Sequence, residues 1–315
     1  MLKTRLWMGA VLIALTVGML VFDQNILLYP FQFVFQLGLA WMGCSELIHL
    51  LGKDRAPIIP LCKFGVVVLT LANWALANAF LFVKFGAILA HPRTRTTEIW
   101  ACMAALATAM HLLIFIQSMI DFREGNQSFE RMARTWWVIG YLGLLPSFFA
   151  QIRWLHDFDS PVGTTALALA IFVPKGCDIG AYFTGRLFGK HPMAPVLSPK
   201  KTWEGASASL VVSIFFGTGL YLFAIPINSW LLKFHLLGPD SLAWNQKTGL
   251  LQVMVLSAVV NIAAQLGDLV ESAIKRGADV KDSGAILPGH GGMLDRIDAM
   301  LFAAPVLLLG LMALR

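Results

Sequence analysis

The residues best suited to chemistry lie in one segment, 272–298, which reads SAIKRGADVKDSGAILPGHGGMLDRID. It combines four basic side chains, four aspartates and a glycine-rich turn around His290, and long apolar runs flank it. Charged groups are costly to place at a membrane boundary. A site for phosphates and a metal ion needs cations, carboxylates and accessible backbone amides together. A loop that only followed the positive-inside rule would explain the basic residues but not the aspartates or the glycines.

Two carboxylates at adjoining helix ends are predicted to bind a metal ion. Asp268 closes an apolar run and shares a helical face with Lys275. Asp295 and Asp298 are three residues apart and share a face at the start of the last predicted helix. Magnesium commonly binds one or two carboxylates together with substrate phosphates. Asp268 and Asp295 could supply these carboxylates. His290, between two glycines, is interpreted as a binding or structural residue rather than as a general base.

A second polar cluster, LSPKKTWEG at 197–205, follows an earlier apolar run. Ser198 followed by Pro199 is typical of an N-cap and a first helical residue, so a helix is predicted to begin there. Free amides at that helix start, beside Lys200 and Lys201, would form a cradle for an anion. A capped helix with two lysines near the membrane is the alternative, and the presence of the first cluster favours the phosphate interpretation.

Asp178 lies well inside a predicted apolar helix, where it can share a face with Lys175. Pairing between the two would make Asp178 structural, but a functional role is favoured because carboxylates within a membrane tend to mark sites. The glycine spacings Gly176–Gly180 and Gly185–Gly189 fit close helix packing at least as well as ligand approach.

The composition indicates a membrane protein. The 315 residues are 57% hydrophobic and 13% charged, with a mean hydropathy of +0.71, whereas soluble domains carry about a quarter charged residues. The net charge of +6 is typical of basic loops that face the cytoplasm or anionic lipid, so no nucleic-acid partner is expected. The four cysteines form no Cys-x-x-Cys pair, which argues against a disulfide framework or a zinc site.

The apolar runs predict an all-α, polytopic integral membrane protein with about eight to nine transmembrane helices and active-site loops on the cytoplasmic side. The first run is interpreted as an uncleaved helix because no small-residue cleavage site follows it. No internal repeat is visible. The predicted spans are 6–22, 31–51, 62–83, 99–120, 136–155, 162–184, 206–225, 249–271 and 298–314.

The distribution of basic residues predicts the orientation. With nine spans and a cytoplasmic N-terminus, most Lys and Arg residues fall in inside loops, although Arg93 and Arg95 fall outside. This arrangement places segments 185–205 and 272–297, which hold the two polar clusters, on the same cytoplasmic face.

Four pieces of the segment 272–298, namely SAIKR, KDSG, LPGHGG and DRID, resemble the C-terminal signature of phosphatidate cytidylyltransferases, also called CDP-diacylglycerol synthases. The segments around Asp178 and at 198–205 also resemble that family. The resemblance runs from about Gly163 to the C-terminus. It divides the chain into a variable N-terminal transmembrane half, residues 1–155, and a catalytic transmembrane region, residues 156–315.

The resemblance implies a magnesium-dependent membrane enzyme of phospholipid biosynthesis that joins CTP and phosphatidate into CDP-diacylglycerol and pyrophosphate. It implies a bacterial cytoplasmic (inner) membrane, a site on the cytoplasmic face and a possible homodimer. The implied metal ligands are Asp268, Asp295 and Asp298, and the implied catalytic residues are Asp268, Asp295, Lys201 and Arg296. The implied substrate-binding residues are Ser198, Lys200, Lys201, Thr202, Lys275, Arg276, Lys281, His290, Gly291, Gly292 and Asp178.

Two other functions are weighed against this one. A CTP-dependent polytopic lipid kinase would need a base for its hydroxyl acceptor, and the only base candidates here are His290 and the aspartates. A secondary transporter should show repeated halves and charges at the membrane midplane, whereas this chain shows no repeat and concentrates its charges at one surface.

The orientation gives a first testable prediction. Single cysteines placed in loops 185–205 and 272–297 of a cysteine-free variant should resist an impermeant thiol reagent in intact cells and react after the membrane is opened. A cysteine outside, in the loop that holds Arg93, serves as the labelled control. Labelling of one of the two loops in intact cells would contradict the shared cytoplasmic face.

Overall fold

The protein is almost entirely helical in the computed structural model, which describes residues 2–23, 29–52, 54–84, 92–122, 128–153, 162–233, 249–286 and 291–313. The helices are α1 (Leu2–Phe22), α2 (Pro30–Leu51), α3 (Ile59–Lys84), α4 (Pro92–Ile120), α5 (Ser128–Ile139), α6 (Leu145–Arg153), α7 (Val162–Phe188), α8 (Trp203–Lys233), α9 (Leu250–Gly277) and α10 (Leu294–Ala313). Between α7 and α8 lie two short strands, β1 (Pro192–Ala194) and β2 (Ser198–Thr202).

The helices confirm the predicted class, an all-α polytopic membrane protein. Among the described residues, seven helices are long and apolar enough to cross a membrane, and they correspond to seven of the nine predicted spans. The predicted span 6–22 is helical in α1, but the part of it that qualifies as apolar, Trp7–Phe22, is shorter. The predicted span 136–155 is helical over its described residues, 136–153, but interrupted.

That interruption is a π-helical turn at Gly140–Leu144, between α5 and α6. Pro146 follows it and cannot donate the amide hydrogen bond that an α-helix would direct at Leu142. The Leu145 amide donates instead to the carbonyl of Gly140, five residues back, which is the π-helical pattern. The Pro146 carbonyl accepts a hydrogen bond from Nε2 of Gln36 at 2.7 Å. A proline can therefore turn a predicted uninterrupted span into two shorter helices.

The chain forms two compact units, of which the second comprises Gln32–Gln151. Its core contains the buried side chains of Leu69, Met103, Ile114 and Ile139. Helix α3 lies close to the π-helical turn because Gly143 has no side chain: a Cβ there would lie 3.1 Å from the Cα of Val66.

The first unit comprises Met1–Phe31 and Ile152–Arg315, and it holds α7 to α10 with the two strands. Helix α8 packs against both α7 and α9. Their contact contains a buried polar network in which Nδ2 of Asn261 donates to Oγ of Ser213 at 2.7 Å and to the carbonyl of Ser209 at 3.2 Å. Hydrogen bonds of this kind hold helices together in lipid, where apolar surface alone gives no preference for a neighbouring helix. Apolar side chains such as Phe215 and Val211 point outward.

Small residues let these helices approach one another. A Cβ on Gly176 of α7 would lie 2.9 Å from the ring of Phe216 on α8. A Cβ on Gly180 of α7 would lie 2.9 Å from Cβ of Val212 on α8. On the other side of α8, a Cβ on Gly217 would lie 1.9 Å from Oγ and 2.8 Å from Cβ of Ser257 on α9. The first predicted glycine spacing therefore serves helix packing.

A matched pair of glycines in α8 tests this packing. Gly217→Ala should lower the melting temperature of the purified protein in detergent, because overpacking of a tight contact costs about 1–3 kcal/mol. Gly219→Ala, where no described heavy atom lies within 4 Å of the new Cβ, should leave it unchanged or slightly higher. Equal melting temperatures for the two variants would contradict the tight contact between α8 and α9.

Candidate active site

The first component of the site is the hairpin formed by β1 and β2. The strands pair antiparallel, with Pro192 opposite Thr202 and Ala194 opposite Ser198. The prediction that a helix begins at Ser198–Pro199 is therefore wrong, because both residues lie in β2. A two-stranded hairpin has two open edges, so it tolerates a proline that cannot donate a ladder hydrogen bond.

Helix α8 begins at Trp203, four residues later than predicted, and is capped by Thr202. Its Oγ1 accepts a hydrogen bond from the amide of Gly205 at 3.2 Å, which is the usual geometry of an N-cap. The end of α7 fits against this cap through glycines: a Cβ on Gly189 would lie 2.7 Å from Oγ1 of Thr202. The second predicted glycine spacing therefore lets the hairpin and α7 meet closely. Thr202, predicted to bind substrate, has a structural contact here.

The hairpin presents Lys201 to α9. The Nζ atom of Lys201 lies 2.6 Å from Oδ2 of Asp268. Successive side chains of a strand alternate in direction, and the preceding Lys200 is exposed. Nearby, Nε of Arg276 donates to the carbonyl of Leu197 at 3.3 Å. These contacts confirm that segments 185–205 and 272–297 lie on the same side of this unit.

Three carboxylates come together at the facing ends of α9 and α10. Asp268, Glu271 and Asp298 each offer an oxygen atom within 4.8 Å of the others. Glu271 is fully buried and Asp298 nearly so. The two helices approach closely because α9 carries Gly267, where a Cβ would lie 2.6 Å from the carbonyl oxygen of Asp298. Oxygen donors at this separation suit a hard divalent cation.

Glu271 is the residue of this trio that the sequence analysis missed. Its spacing carried a usable signal, since it lies three residues after Asp268 and four before Lys275, on the same helical face.

Lys275 connects this trio to Asp295. Its Nζ atom contacts Oε2 of Glu271 at 2.5 Å and Oδ1 of Asp295 at 2.7 Å. The other Asp295 oxygen, Oδ2, accepts hydrogen bonds from the amide of Ser283 at 3.0 Å, from its hydroxyl at 3.0 Å and from the amide of Gly292 at 2.8 Å. Asp295 therefore holds the polar segment before α10 against α9. Its predicted role as a metal ligand stays a prediction, and the structure adds these protein contacts to it.

The cluster contains more carboxylates than lysines. Four carboxylates, those of Asp268, Glu271, Asp295 and Asp298, meet two lysines, Lys201 and Lys275. Oxygen donors outnumber the cations in this cluster, so the donor set fits a hard divalent cation such as Mg²⁺.

Asp178 pairs with Lys175 rather than standing alone. The distance from Nζ of Lys175 to Oδ2 of Asp178 is 3.6 Å, and the same Nζ donates to the carbonyl of Arg296 at 3.1 Å. This is the structural alternative weighed in the sequence analysis, and it ties α7 to the start of α10. The predicted substrate contact of Asp178 stays a prediction.

The remaining predicted residues lie around this cluster or outside the described residues. Gly291 has a left-handed φ of +81°, and a Cβ there would lie 2.7 Å from Oδ2 of Asp295, so two independent reasons favour glycine. Arg276 and Lys281 are exposed, and Nε of Arg296 is buried with no hydrogen-bond partner among the described residues. His290 lies outside the described residues.

Together these features define a polytopic membrane protein whose carboxylates and lysines meet where apolar helices end. The sequence matches the cytidylyltransferase family over residues 3–314, so the chain belongs to that family. The predicted family, and with it the predicted class of enzyme, a nucleotidyltransferase, are confirmed.

Curated relatives agree with this assignment. A phosphatidate cytidylyltransferase of Bacillus subtilis (strain 168) is 38% identical over 168 residues, which cover 53% of this chain and 53% of the relative. A phosphatidate cytidylyltransferase of Staphylococcus saprophyticus is 40% identical over 209 residues, 66% of this chain and 70% of the relative. One of Staphylococcus epidermidis (strain ATCC 12228) is 32% identical over the same length. The chain thus spans about half of the Bacillus relative and more of the staphylococcal ones.

The contacts of Asp295 can be tested without an activity assay. Asp295→Ala removes the acceptor of the Ser283 and Gly292 amides, so hydrogen exchange at peptides covering these two residues should become at least about tenfold faster. Asp282→Ala, which removes an exposed carboxylate from the same segment, should leave both rates near those of the wild type. Unchanged exchange in Asp295→Ala would show that Asp295 does not hold this segment.

Proposed function

We propose that this protein transfers the cytidylyl group of CTP to phosphatidate, giving CDP-diacylglycerol and pyrophosphate. The observation that carries the proposal is the group of four carboxylates and two lysines at the ends of α9 and α10, in a chain of the cytidylyltransferase family. The named relatives are phosphatidate cytidylyltransferases, which supports the same reaction here.

The chemistry of the acceptor matches the residues present. Phosphatidate is a phosphate monoester with a second pKa of about 6, so its oxygen is already largely ionised near neutral pH. It can attack the α-phosphorus of CTP while pyrophosphate leaves, without a strong general base. The principal requirement is neutralisation of charge, because an anionic nucleophile meets an anionic triphosphate. Lys201 and Lys275 are placed to supply part of it, and Arg296 is a further proposed cation.

We propose that Mg²⁺ is held by Asp268 and Asp298 together with Glu271, and that Asp295 supports the same site through Lys275. When bound, this ion would polarise phosphate oxygens and offset the negative charge that develops during transfer. The oxygen donors within 4.8 Å of one another, together with carboxylates that outnumber the lysines, support this ligand set.

The exposed cations at the rim are proposed to hold the triphosphate. Lys200, Arg276 and Lys281 are all exposed, and Nε of Arg276 donates to the carbonyl of Leu197 in the segment that carries Lys201. Backbone amides near Gly291 and Gly292 and the side chain of His290 are proposed to add hydrogen bonds to phosphate oxygens. Ser198 and Asp178 complete the proposed substrate-binding set.

The location proposed for the protein follows from its two substrates. One is dissolved in water and the other is anchored in lipid, so a site where apolar helices end is accessible to both. We propose the bacterial cytoplasmic (inner) membrane, with the site on the cytoplasmic face, and residues 156–315 as the catalytic region. Every residue of the carboxylate and lysine cluster lies in that region. A homodimer is proposed from the family resemblance.

The reaction is tested by following two differently labelled nucleotides. CTP labelled at the α-phosphate should give labelled lipid only when phosphatidate is present, with release of pyrophosphate, and diacylglycerol should not replace phosphatidate. Asp268→Asn should abolish this labelling at saturating Mg²⁺, because it removes a charge that the ion requires. Asp279→Asn, the same change at an exposed aspartate outside the four signature pieces, should retain it. Lipid labelled from the γ-phosphate, with release of CDP, would instead identify a kinase.

A further inference from the structure

The ammonium group of Lys201 contacts a carboxylate that is also proposed to bind a metal ion. Its ammonium group lies 2.6 Å from a carboxylate oxygen of Asp268, and Asp268 is one of the three carboxylates that come within 4.8 Å of one another. The same lysine is proposed to bind a phosphate of CTP. A divalent cation and an ammonium group repel each other strongly at contact distance, so close pairing with Lys201 competes with metal ligation by Asp268.

The side chain of Lys201 can change partner without a backbone movement. Its strand, β2, is fixed by pairing with β1 and by the cap that Thr202 provides to α8. The lysine itself is a flexible four-carbon chain that ends in a point charge. The side chains of Lys201 and Asp268 are 25% and 32% exposed, whereas the Nζ atom of Lys201 is itself buried.

Lys275 provides a contrast within the same cluster. It contacts two carboxylates at once, those of Glu271 and Asp295, and its side chain is only 15% exposed. Departure of Lys275 would leave two partly or fully buried carboxylates without their shared cation, which is far more costly than loss of one partner. Lys275 is therefore the fixed counterion of the cluster, and Lys201 is the one able to leave.

We propose, on the basis of the function proposed above, that Lys201 exchanges between two partners. It pairs with Asp268, as in this structure, and it turns to a phosphate oxygen of CTP when Asp268 ligates the cation. The exchange makes metal and nucleotide binding cooperative: the cation releases Lys201 for the nucleotide, and the nucleotide draws Lys201 away from a metal ligand. Because such coupling is reciprocal, each ligand raises the affinity for the other by the same factor.

The exchange predicts an unusual effect on metal affinity, measured without nucleotide or turnover. Purified protein is titrated with Mn²⁺, and the free ion is followed by electron paramagnetic resonance. Lys201→Met should bind Mn²⁺ roughly three- to tenfold more tightly than the wild type, because the ammonium group that competes with the ion for Asp268 is gone. Lys190→Met removes an equal charge at the start of the hairpin, where no ion pair to Asp268 exists among the described contacts, and should give no comparable gain. Equal or weaker Mn²⁺ binding by Lys201→Met would overturn the exchange.

Two further measurements identify the cause of any gain. In the Asp268→Asn background, Lys201→Met should no longer tighten Mn²⁺ binding, since the ligand for which it competed is absent. Mn²⁺ should raise CTP affinity in the wild type and do so less in Lys201→Met. A gain in Mn²⁺ affinity that persists in the Asp268→Asn background would assign it to general charge and overturn the exchange.

The outcomes separate this inference from the proposed function. Tighter Mn²⁺ binding that depends on Asp268 supports the exchange even if α-labelled CTP gives no labelled lipid, a result that would contradict the proposed reaction alone. Labelled lipid from the wild type, together with unchanged Mn²⁺ affinity in Lys201→Met, would overturn the exchange alone.

Discussion

Buried carboxylates that must be neutralised impose the main constraint on this structure. Asp268, Glu271, Asp295 and Asp298 stand where α9 ends and α10 begins, and an unpaired charge in such surroundings costs several kcal/mol. Each feature around them serves to bring a compensating partner near. The hairpin delivers Lys201, the helical face of α9 delivers Lys275, and the glycine at 267 lets the two helices approach.

The same constraint explains why the polar segment before α10 has a defined course next to the helices. Ser283 and Gly292 direct hydrogen-bond donors at one oxygen of Asp295, and Lys275 contacts the other. Asp295, which adds a negative charge to the cluster, therefore also holds this segment in place through its hydrogen bonds. Local order and charge compensation come from the same contacts.

Much of this arrangement could be predicted from the sequence, because lipid imposes strong rules on composition. Seven predicted spans coincide with long apolar helices, since a run of about twenty apolar residues has few alternatives to a membrane helix. The shared side of segments 185–205 and 272–297 followed from counting spans, and the hydrogen bond from Nε of Arg276 to the carbonyl of Leu197 joins the two segments. The family followed from the density of charged and glycine positions in 272–298.

The sequence predictions were incomplete or wrong where one local sequence pattern is compatible with two different structures. Ser198–Pro199 fits a helix start, but strand pairing with β1 uses the same residues, and the cap is Thr202. The effect of Pro146 on 136–155 depends on where the displaced hydrogen bonds go, which hydropathy does not reveal. The pairing of Asp178 with Lys175 depends on the position of the lysine side chain, which the sequence does not reveal, and the predicted substrate contact of Asp178 stays a prediction.

The discontinuity of the first unit has a consequence for biosynthesis. Helix α1 is synthesised before the second unit, yet its own unit is completed only by residues 152–315, which are synthesised after the whole of Gln32–Gln151. The stacking of Tyr29 against the guanidinium of Arg153, 4.4 Å from the ring centroid, joins residues that leave the ribosome far apart in time. The neighbours of α1 within this unit, among them α7, are therefore available only after the second unit has been synthesised.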